Sequence, residues 1–391
     1  MGRIGIYGGT FNPPHIGHIR AAQYAITALN LDRLMLIPAC ISPHKPLPEN
    51  SPTPEQRMEM LRIATLGTQI EISDIELQRG GTSYTYETVA ELKKAYPDEE
   101  LIFLMGTDMF LSFTKWRNPE KILENAALGV FYRGEKGEID AIAQQKASLE
   151  EQGAKVYLVE NPVTEISSTE LRRLITFRCA EDFLPAGVGE YIHRQGLYAP
   201  TCKNLSEAQL EQVVTTLVKP NRINHILGCR DTAVDLAKRW GADHVSAARA
   251  GLLHDITKAL TSQQQLTLCE KYGIILDRFS YTNPKTLHAL TGSLVAERIF
   301  GEKPDVVAAI ASHTTGKGNM NTLEKVIYVA DYMEPNRDFP GVEELRRLAY
   351  EDLDKALKLG LMMTIKLLKE QGREISPESQ QALMGLEQVA I

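Results

Sequence analysis

The chain has 391 residues, 43% hydrophobic and 24% charged, with a formal net charge of −7, a length that suits two domains and excludes a small disulfide- or metal-stapled scaffold. Acids outnumber bases in both halves, which argues against a nucleic acid partner, because neutralising a phosphate backbone takes clustered Lys and Arg. Five scattered cysteines without a CxxC pair, no apolar run near the roughly 18 residues of a membrane span, and no signal-peptide layout lead to the expectation of a soluble cytoplasmic protein with no membrane partner. Composition leaves an oligomer open.

In chain order, residues 3–7 read as a short apolar strand, followed by Gly8-Gly9-Thr10-Phe11-Asn12-Pro13-Pro14-His15-Ile16-Gly17-His18 and an Ala-rich helical segment over 19–26. A strand feeding a glycine turn that opens a helix is a phosphate-handling device: backbone N–H groups approach the anion, and the helix N-terminus adds partial positive charge. His15 and His18, three apart, can face one phosphate. Residues 34–38 form a continuous apolar run, a buried parallel strand, so the opening is a βαβ unit of a doubly wound α/β sheet. That strand empties into a proline-rich loop carrying Lys45, a cation at the ligand-binding edge of the sheet.

Thr53-Pro54-Glu55-Gln56 is a capping box that starts a helix. Residues 70–77 alternate and predict a strand with one wet face. A turn over 80–85 precedes a helix from about 86 to 95, and residues 101–105 form another buried strand ending in Gly106-Thr107-Asp108. Trp116 beyond it suits either the core or stacking on a ligand ring. Strands over 127–132 and 156–159 flank a polar helix over 138–152. Ser167-Ser168-Thr169-Glu170 then makes a second capping box, whose free N–H groups and Arg172 can surround an anion.

Taken together, Gly8–His18 and Ile166–Arg172 resemble the nucleotidyltransferases that carry His-x-Gly-His and Ser-(Ser/Thr)-Thr-x-x-Arg. Within them, Gly8–His15, Pro43-His44-Lys45, Thr82-Ser83-Tyr84-Thr85, Gly106-Thr107-Asp108 and Trp116 resemble the bacterial nicotinate-nucleotide adenylyltransferases over residues 1–198. The resemblance implies ATP plus nicotinate mononucleotide giving the deamido dinucleotide and pyrophosphate, with Mg2+ arriving on ATP. It implies His18 on the α-phosphate, His15 on the β-phosphate, and Lys45 and Arg172 on the polyphosphate. Gly8, Gly9, Thr10 and Phe11 would line the nucleotide, as would Ser167, Ser168 and Thr169. Thr82, Ser83, Tyr84, Thr85, Gly106, Asp108 and Trp116 would surround the pyridine nucleotide.

Residues 199–204 read as a linker, and from 205 to 391 helix follows helix with no convincing strand. His225 lies on one helix, His254-Asp255 ends another, His288 lies on a third, and apolar helices lead to His313 and Asp331; the tail from 342 is amphipathic. Imidazoles and carboxylates on converging helices are a ligand set for divalent metals. The spacing His…His-Asp…Asp resembles the HD phosphohydrolases. Arg222–His225, Leu252–Lys258, His313–Gly316 and Tyr328–Arg337 resemble their symmetrical diadenosine tetraphosphate hydrolases.

That resemblance implies an all-α HD domain cleaving diadenosine tetraphosphate to two ADP. His225, His254, Asp255 and Asp331 would hold one metal, iron or manganese, and His288 and His313 would complete a second. Lys258 and Arg337 would hold phosphates, with Asp255 central to catalysis. The expectation is a bifunctional enzyme of NAD biosynthesis. The alternatives are a C-terminal nucleotide-sensing module, or an HD nucleotidase or phosphodiesterase of other specificity.

Overall fold

Apolar side chains alternate along six short strands, and this alternation builds the first half of the molecule into a sheet covered on both faces. The structure is a computed structural model that describes residues 2–43, 47, 51–132, 136–160, 166–198 and 202–387. The segment carrying His44 and Lys45, and residues 199–201 of the expected linker, lie outside the described residues. The chain divides into two compact units, 1–199 and 200–391.

In the first unit the strands are β1 (Arg3–Gly9), β2 (Arg33–Pro38), β3 (Ile70–Ile72), β4 (Glu100–Gly106), β5 (Ala127–Tyr132) and β6 (Val156–Glu160). They lie in the order β3-β2-β1-β4-β5-β6, and every pair is parallel. This is the expected doubly wound sheet. The strand order reverses between β1 and β4, and in such sheets the crevice at the carboxyl ends of those two strands binds ligands. The helices of this unit are α1 (Ile16–Ala28), α2 (Pro54–Ala64), α3 (Ile75–Arg79), α4 (Thr85–Ala95), α5 (Thr107–Leu111), α6 (Pro119–Leu123), α7 (Lys136–Glu150), α8 (Ser168–Thr176) and α9 (Val188–Arg194).

Leu34, Leu36, Ile102 and Leu104 face one buried layer with residues of α1, α2 and α9; Ile4, Ile6, Met35, Ile37, Leu101 and Phe103 face the other with α4, α6 and α7. The Thr53 capping box forms as expected, its hydroxyl accepting from the Gln56 N–H. The expected strand over 70–77 is corrected: only Ile70–Ile72 pairs, and Ile75–Arg79 is helical. As the edge strand, β3 bonds β2 alone, and beyond it Glu76 turns inward to accept a 2.6 Å hydrogen bond from Thr88, which a continuing strand would not allow.

The second unit is helical throughout its described residues: α10 (Glu207–Leu217), α11 (Ile223–Trp240), α12 (His244–Leu253), α13 (Ser262–Lys271), α14 (Arg278–Thr282), α15 (Leu287–Val295), α16 (Pro304–Ser312), α17 (Thr322–Met333), α18 (Val342–Glu351), α19 (Leu353–Glu370) and α20 (Pro377–Met384). The amphipathic tail is three helices, because Asp352 and Ser376 each restart the chain as an N-cap. In both units, buried positions of the regular elements fix where the polar clusters sit.

Ile6, fully buried at the centre of β1, tests that dependence. Ile6→Ala should destabilise the first unit by about 2–5 kcal/mol, read by chemical denaturation of the full chain. A loss well under 1 kcal/mol would show that β1 is not its core.

Candidate active sites

In the first unit, β1 runs into a turn that holds Phe11 at φ 46° before α1 begins. A cavity of about 430 Å³ opens at the reversal of strand order. Its walls include Gly8, Gly9, Thr10, Phe11, His18, Ser83, Thr85, Gly106, Trp116, Ser167, Ser168, Thr169 and Arg172. These expected residues therefore meet in one place, although they come from five separate stretches of chain.

The backbone N–H of His15 donates to His18 Nδ1 at 3.2 Å. A nitrogen that accepts an N–H holds no hydrogen of its own, so the neutral ring of His18 carries its hydrogen on Nε2. Burial, with His15 beside it, keeps His18 well below the usual imidazole range, so neutral is its state near pH 7. His18 thus offers an N–H to the cavity without the cost of a buried charge. His15 is buried and stacks on His18 at 3.6 Å between ring centroids, and burial lowers it to about 4.

Helix α8 is docked onto this turn. Ser167 caps it reciprocally with Glu170, Ser168 Oγ donates to the Pro13 carbonyl at 3.2 Å, and Arg172 Nη1 donates to the Asn12 carbonyl at 2.8 Å. Trp116 packs edge-on against Phe103 and also lines the cavity, a position compatible with both of its sequence readings. His15, Thr82, Tyr84 and Asp108 do not reach the cavity wall, and Tyr84 instead lies under the Arg117 guanidinium at 4.5 Å.

Two residues that sequence reasoning missed hold the turn from behind. Arg57 is fully buried and donates to the carbonyls of Thr10 (2.7 Å), Ala39 (2.6 Å) and Cys40 (3.1 Å). Tyr198 donates its hydroxyl to Asn12 Oδ1 at 2.6 Å. Neither belongs to a local motif; the only sequence signal was an arginine among apolar positions of α2.

In the second unit, all six expected metal ligands converge from five helices. Asp255 is central. Its Oδ2 lies 3.7 Å from His225 Nε2 and 3.6 Å from His254 Nε2, and its Oδ1 lies 3.3 Å from His288 Nε2 and 3.6 Å from His313 Nε2. Asp331 Oδ1 is 3.1 Å from His225 Nε2 and 3.7 Å from His254 Nε2. His225, His254 and Asp331 form one compact donor group, and His254, Asp255 and His313 a second.

The far nitrogens decide whether a metal fits. Nδ1 of His254, His288 and His313 faces the carbonyls of Gly251, Lys285 and Ile310 at 2.7–2.8 Å, and Nδ1 of His225 faces Glu334 Oε1 at 3.1 Å. These oxygens only accept, so in each neutral ring the hydrogen sits on Nδ1 and the Nε2 lone pair points inward. Burial lowers His254 to about 4 and His288 to about 3. Burial alone would raise the Asp255 and Asp331 carboxyls, but the imidazoles around them, with Lys258 beside Asp255 and Arg337 beside Asp331, hold both well below the usual carboxylate range.

The result is a convergence of lone pairs and carboxylates. His225 Nε2 and His254 Nε2 stand 3.1 Å apart, and buried Asp255 Oδ1 has no hydrogen-bond partner among the described residues. A divalent cation satisfies this donor set, and the residues fit one. Lys258 Nζ donates to His288 Nε2 at 2.8 Å from a partly exposed position, and Arg222, which sequence reasoning left without a role, contacts Asp255 Oδ2. Arg337 is spent on Asp331, donating to its carbonyl at 2.9 Å and to Oδ1 at 2.7 Å.

Comparison with known proteins agrees with both geometries. Residues 6–174 match the cytidylyltransferase-like family and residues 222–336 match the HD domain. A probable nicotinate-nucleotide adenylyltransferase of Dictyoglomus thermophilum is 36% identical over 198 residues, 50% of this chain and 99% of that protein. A symmetrical bis(5'-nucleosyl)-tetraphosphatase of Halalkalibacterium halodurans is 41% identical over 168 residues, 42% of this chain and 89% of that protein. The chain belongs to the nicotinate-nucleotide adenylyltransferase family in its first unit and to the HD family in its second. A Mycoplasma pneumoniae protein named as a probable nicotinate-nucleotide adenylyltransferase/Ap4A hydrolase is 29% identical over 375 residues, 93% of this chain and 98% of its own, so the resemblance to it spans both units.

The buried neutral imidazoles of the adenylyltransferase unit make its stability pH-dependent. His15 and His18 bind protons more readily unfolded than folded, so stability is fully present above about pH 6.5 and falls as pH drops toward 4. Urea denaturation between pH 7.5 and 4 should show this slope, and His15→Gln should flatten it. An unchanged slope would mean that His15 is protonated in the folded chain.

Proposed function

We propose that the first unit transfers an adenylyl group from ATP to nicotinate mononucleotide and releases pyrophosphate, and that the second cleaves diadenosine tetraphosphate symmetrically to two ADP. The observation that carries the first reading is the His18 ring, neutral and fixed with its N–H outward at the mouth of a glycine turn.

In that reaction the mononucleotide phosphate attacks the α-phosphorus in line, so no protein nucleophile is needed and the protein supplies position and charge stabilisation. His18 Nε2–H donates to the α-phosphate as negative charge builds on it. Arg172 and the first N–H groups of α8 take the leaving pyrophosphate, a role that Lys45 would share, while His15 supports His18 through their stacked rings. Mg2+ enters with ATP and neutralises phosphate charge.

The pyridine ring lies against Trp116, with Ser83 and Thr85 around it. Helix α4 starts just after Tyr84 without a side-chain cap, and Thr85 in its first turn faces the cavity, so this helix N-terminus suits a carboxylate. This supports the acid over the amide mononucleotide.

In the second unit, the two oxygens of Asp255 face different imidazole pairs, Oδ2 toward His225 and His254 and Oδ1 toward His288 and His313, which supports a centre for two metals, and the mixture of imidazole and carboxylate suits iron or manganese. Metals bound there supply Lewis acidity to a phosphoryl group and lower the pKa of water. Lys258, at the rim, holds a phosphate of the substrate, and Arg337 holds Asp331 in place for its ligand role.

The two reactions are expected to separate. His18→Ala should lower pyrophosphate release from ATP and nicotinate mononucleotide by at least about 100-fold while leaving ADP formation from diadenosine tetraphosphate intact, and His254→Ala should do the reverse. Loss of both activities in either variant would sink the reading of two independent centres. Wild-type protein that prefers nicotinamide mononucleotide would overturn the role given to the α4 N-terminus.

A further inference from the structure

One of the four clustered imidazoles of the second unit is held differently from the other three. His254, His288 and His313 donate from Nδ1 to backbone carbonyls, whereas His225 donates to a carboxylate, Glu334 Oε1, at 3.1 Å. Glu334 is 1% exposed. Its second oxygen accepts from the backbone N–H and the side-chain amide of Asn336, both at 2.8 Å. Arg337 Nε, 3.9 Å from Oε1, adds a nearby positive charge. A buried carboxylate is tolerated only when it is satisfied in this way.

Glu334 follows Asp331 by three residues, immediately beyond the end of α17. One short segment therefore sets Asp331 Oδ1 on His225 Nε2 and Glu334 Oε1 on His225 Nδ1, each at 3.1 Å. The facing helix is shaped to admit it. Gly228 lies one turn along α11 from His225, and a Cβ there would come within 2.6 Å of Glu334 Oε2 and 3.2 Å of Asn336 Nδ2. Two stretches more than a hundred residues apart are thus fitted to this one carboxylate.

We propose that Glu334 is a positioning residue for the metal centre: it fixes the His225 tautomer and strengthens Nε2 as a metal donor, and Gly228 is the gap that lets it do so. A charged acceptor polarises an N–H more strongly than a neutral carbonyl does, and such outer partners are worth about 10–100-fold in metal affinity. Holding the ring in place would need only a carbonyl, which serves the other three. The proposal rests on the metal-centre reading of this unit.

The test uses the full chain, with Mn2+ affinity measured by chelator competition, the visible spectrum of the Co2+-loaded protein, and the Tm of chelator-stripped samples. Glu334→Leu should weaken Mn2+ about 10–100-fold and shift the Co2+ spectrum. Glu334→Gln, which can still accept from His225 through its one oxygen but loses the charge and the acceptor facing Asn336, should restore the spectrum and part of the affinity. Gly228→Ala should resemble Glu334→Leu although the glutamate is still present, and the Gln variant should bind Mn2+ more tightly than the Leu variant whatever Tm each loses when stripped. The proposal is overturned if Glu334→Leu binds Mn2+ as wild type does, or if the Gln variant binds Mn2+ no more tightly than the Leu variant, which would make Glu334 merely structural. A wild-type chain that takes up no divalent ion would instead remove the metal-centre reading, and this proposal with it.

Discussion

The hydrogen bond made by the far nitrogen of each histidine decides what the near nitrogen can bind, and both centres depend on that choice. In the first unit a backbone N–H reaches His18 Nδ1, so Nε2 is left as a donor and the ring suits an anion. In the second unit oxygen acceptors take every Nδ1 hydrogen, so four Nε2 lone pairs are left as acceptors and the rings suit a cation. The same side chain is set to opposite purposes by one partner atom. Both settings are backbone-controlled for all but His225, which makes them properties of helix starts and helix ends.

Behind the anion-binding turn lies a second electrostatic choice. Arg57 sits among carbonyl oxygens and forms no ion pair with a carboxylate among the described residues, although burying a guanidinium without a counter-charge is expensive. Its position gives a reason. The carbonyls it grips belong to Thr10, just beyond β1, and to Ala39 and Cys40, just beyond the neighbouring β2, and Thr10 and Ala39 line the cavity. A positive charge left uncompensated there adds to the field that a polyphosphate would enter, and a nearby carboxylate would cancel it.

Much of this was legible in the sequence, and the rest was not for identifiable reasons. The glycine turn, the Thr53 and Ser167 capping boxes and the His254-Asp255 pair are local patterns, each readable within a dozen residues. The doubly wound order followed from alternating strands and helices. Arg57, Tyr198 and Glu334 act across 47, 186 and 109 residues of chain, distances at which periodicity carries no signal. Residues 70–77 were misread because alternation over so few positions is shared by an edge strand and a short helix entered through a turn. His15 was read as a phosphate ligand from its spacing and from the family resemblance; in the structure it stacks on His18 and is not among the residues that line the cavity.

The bond from the Tyr198 hydroxyl to Asn12 fixes where this chain could be extended. The last described residue of the first unit is itself part of the support of its nucleotide-binding turn, so a shorter first unit would be an incomplete one. A catalytic unit joined at the C-terminal side of the first has to begin beyond that tyrosine, and the join between the two units falls immediately after it. Fusion at that point keeps the bond from Tyr198 to Asn12, which is a geometric condition for combining two enzymes without redesigning either.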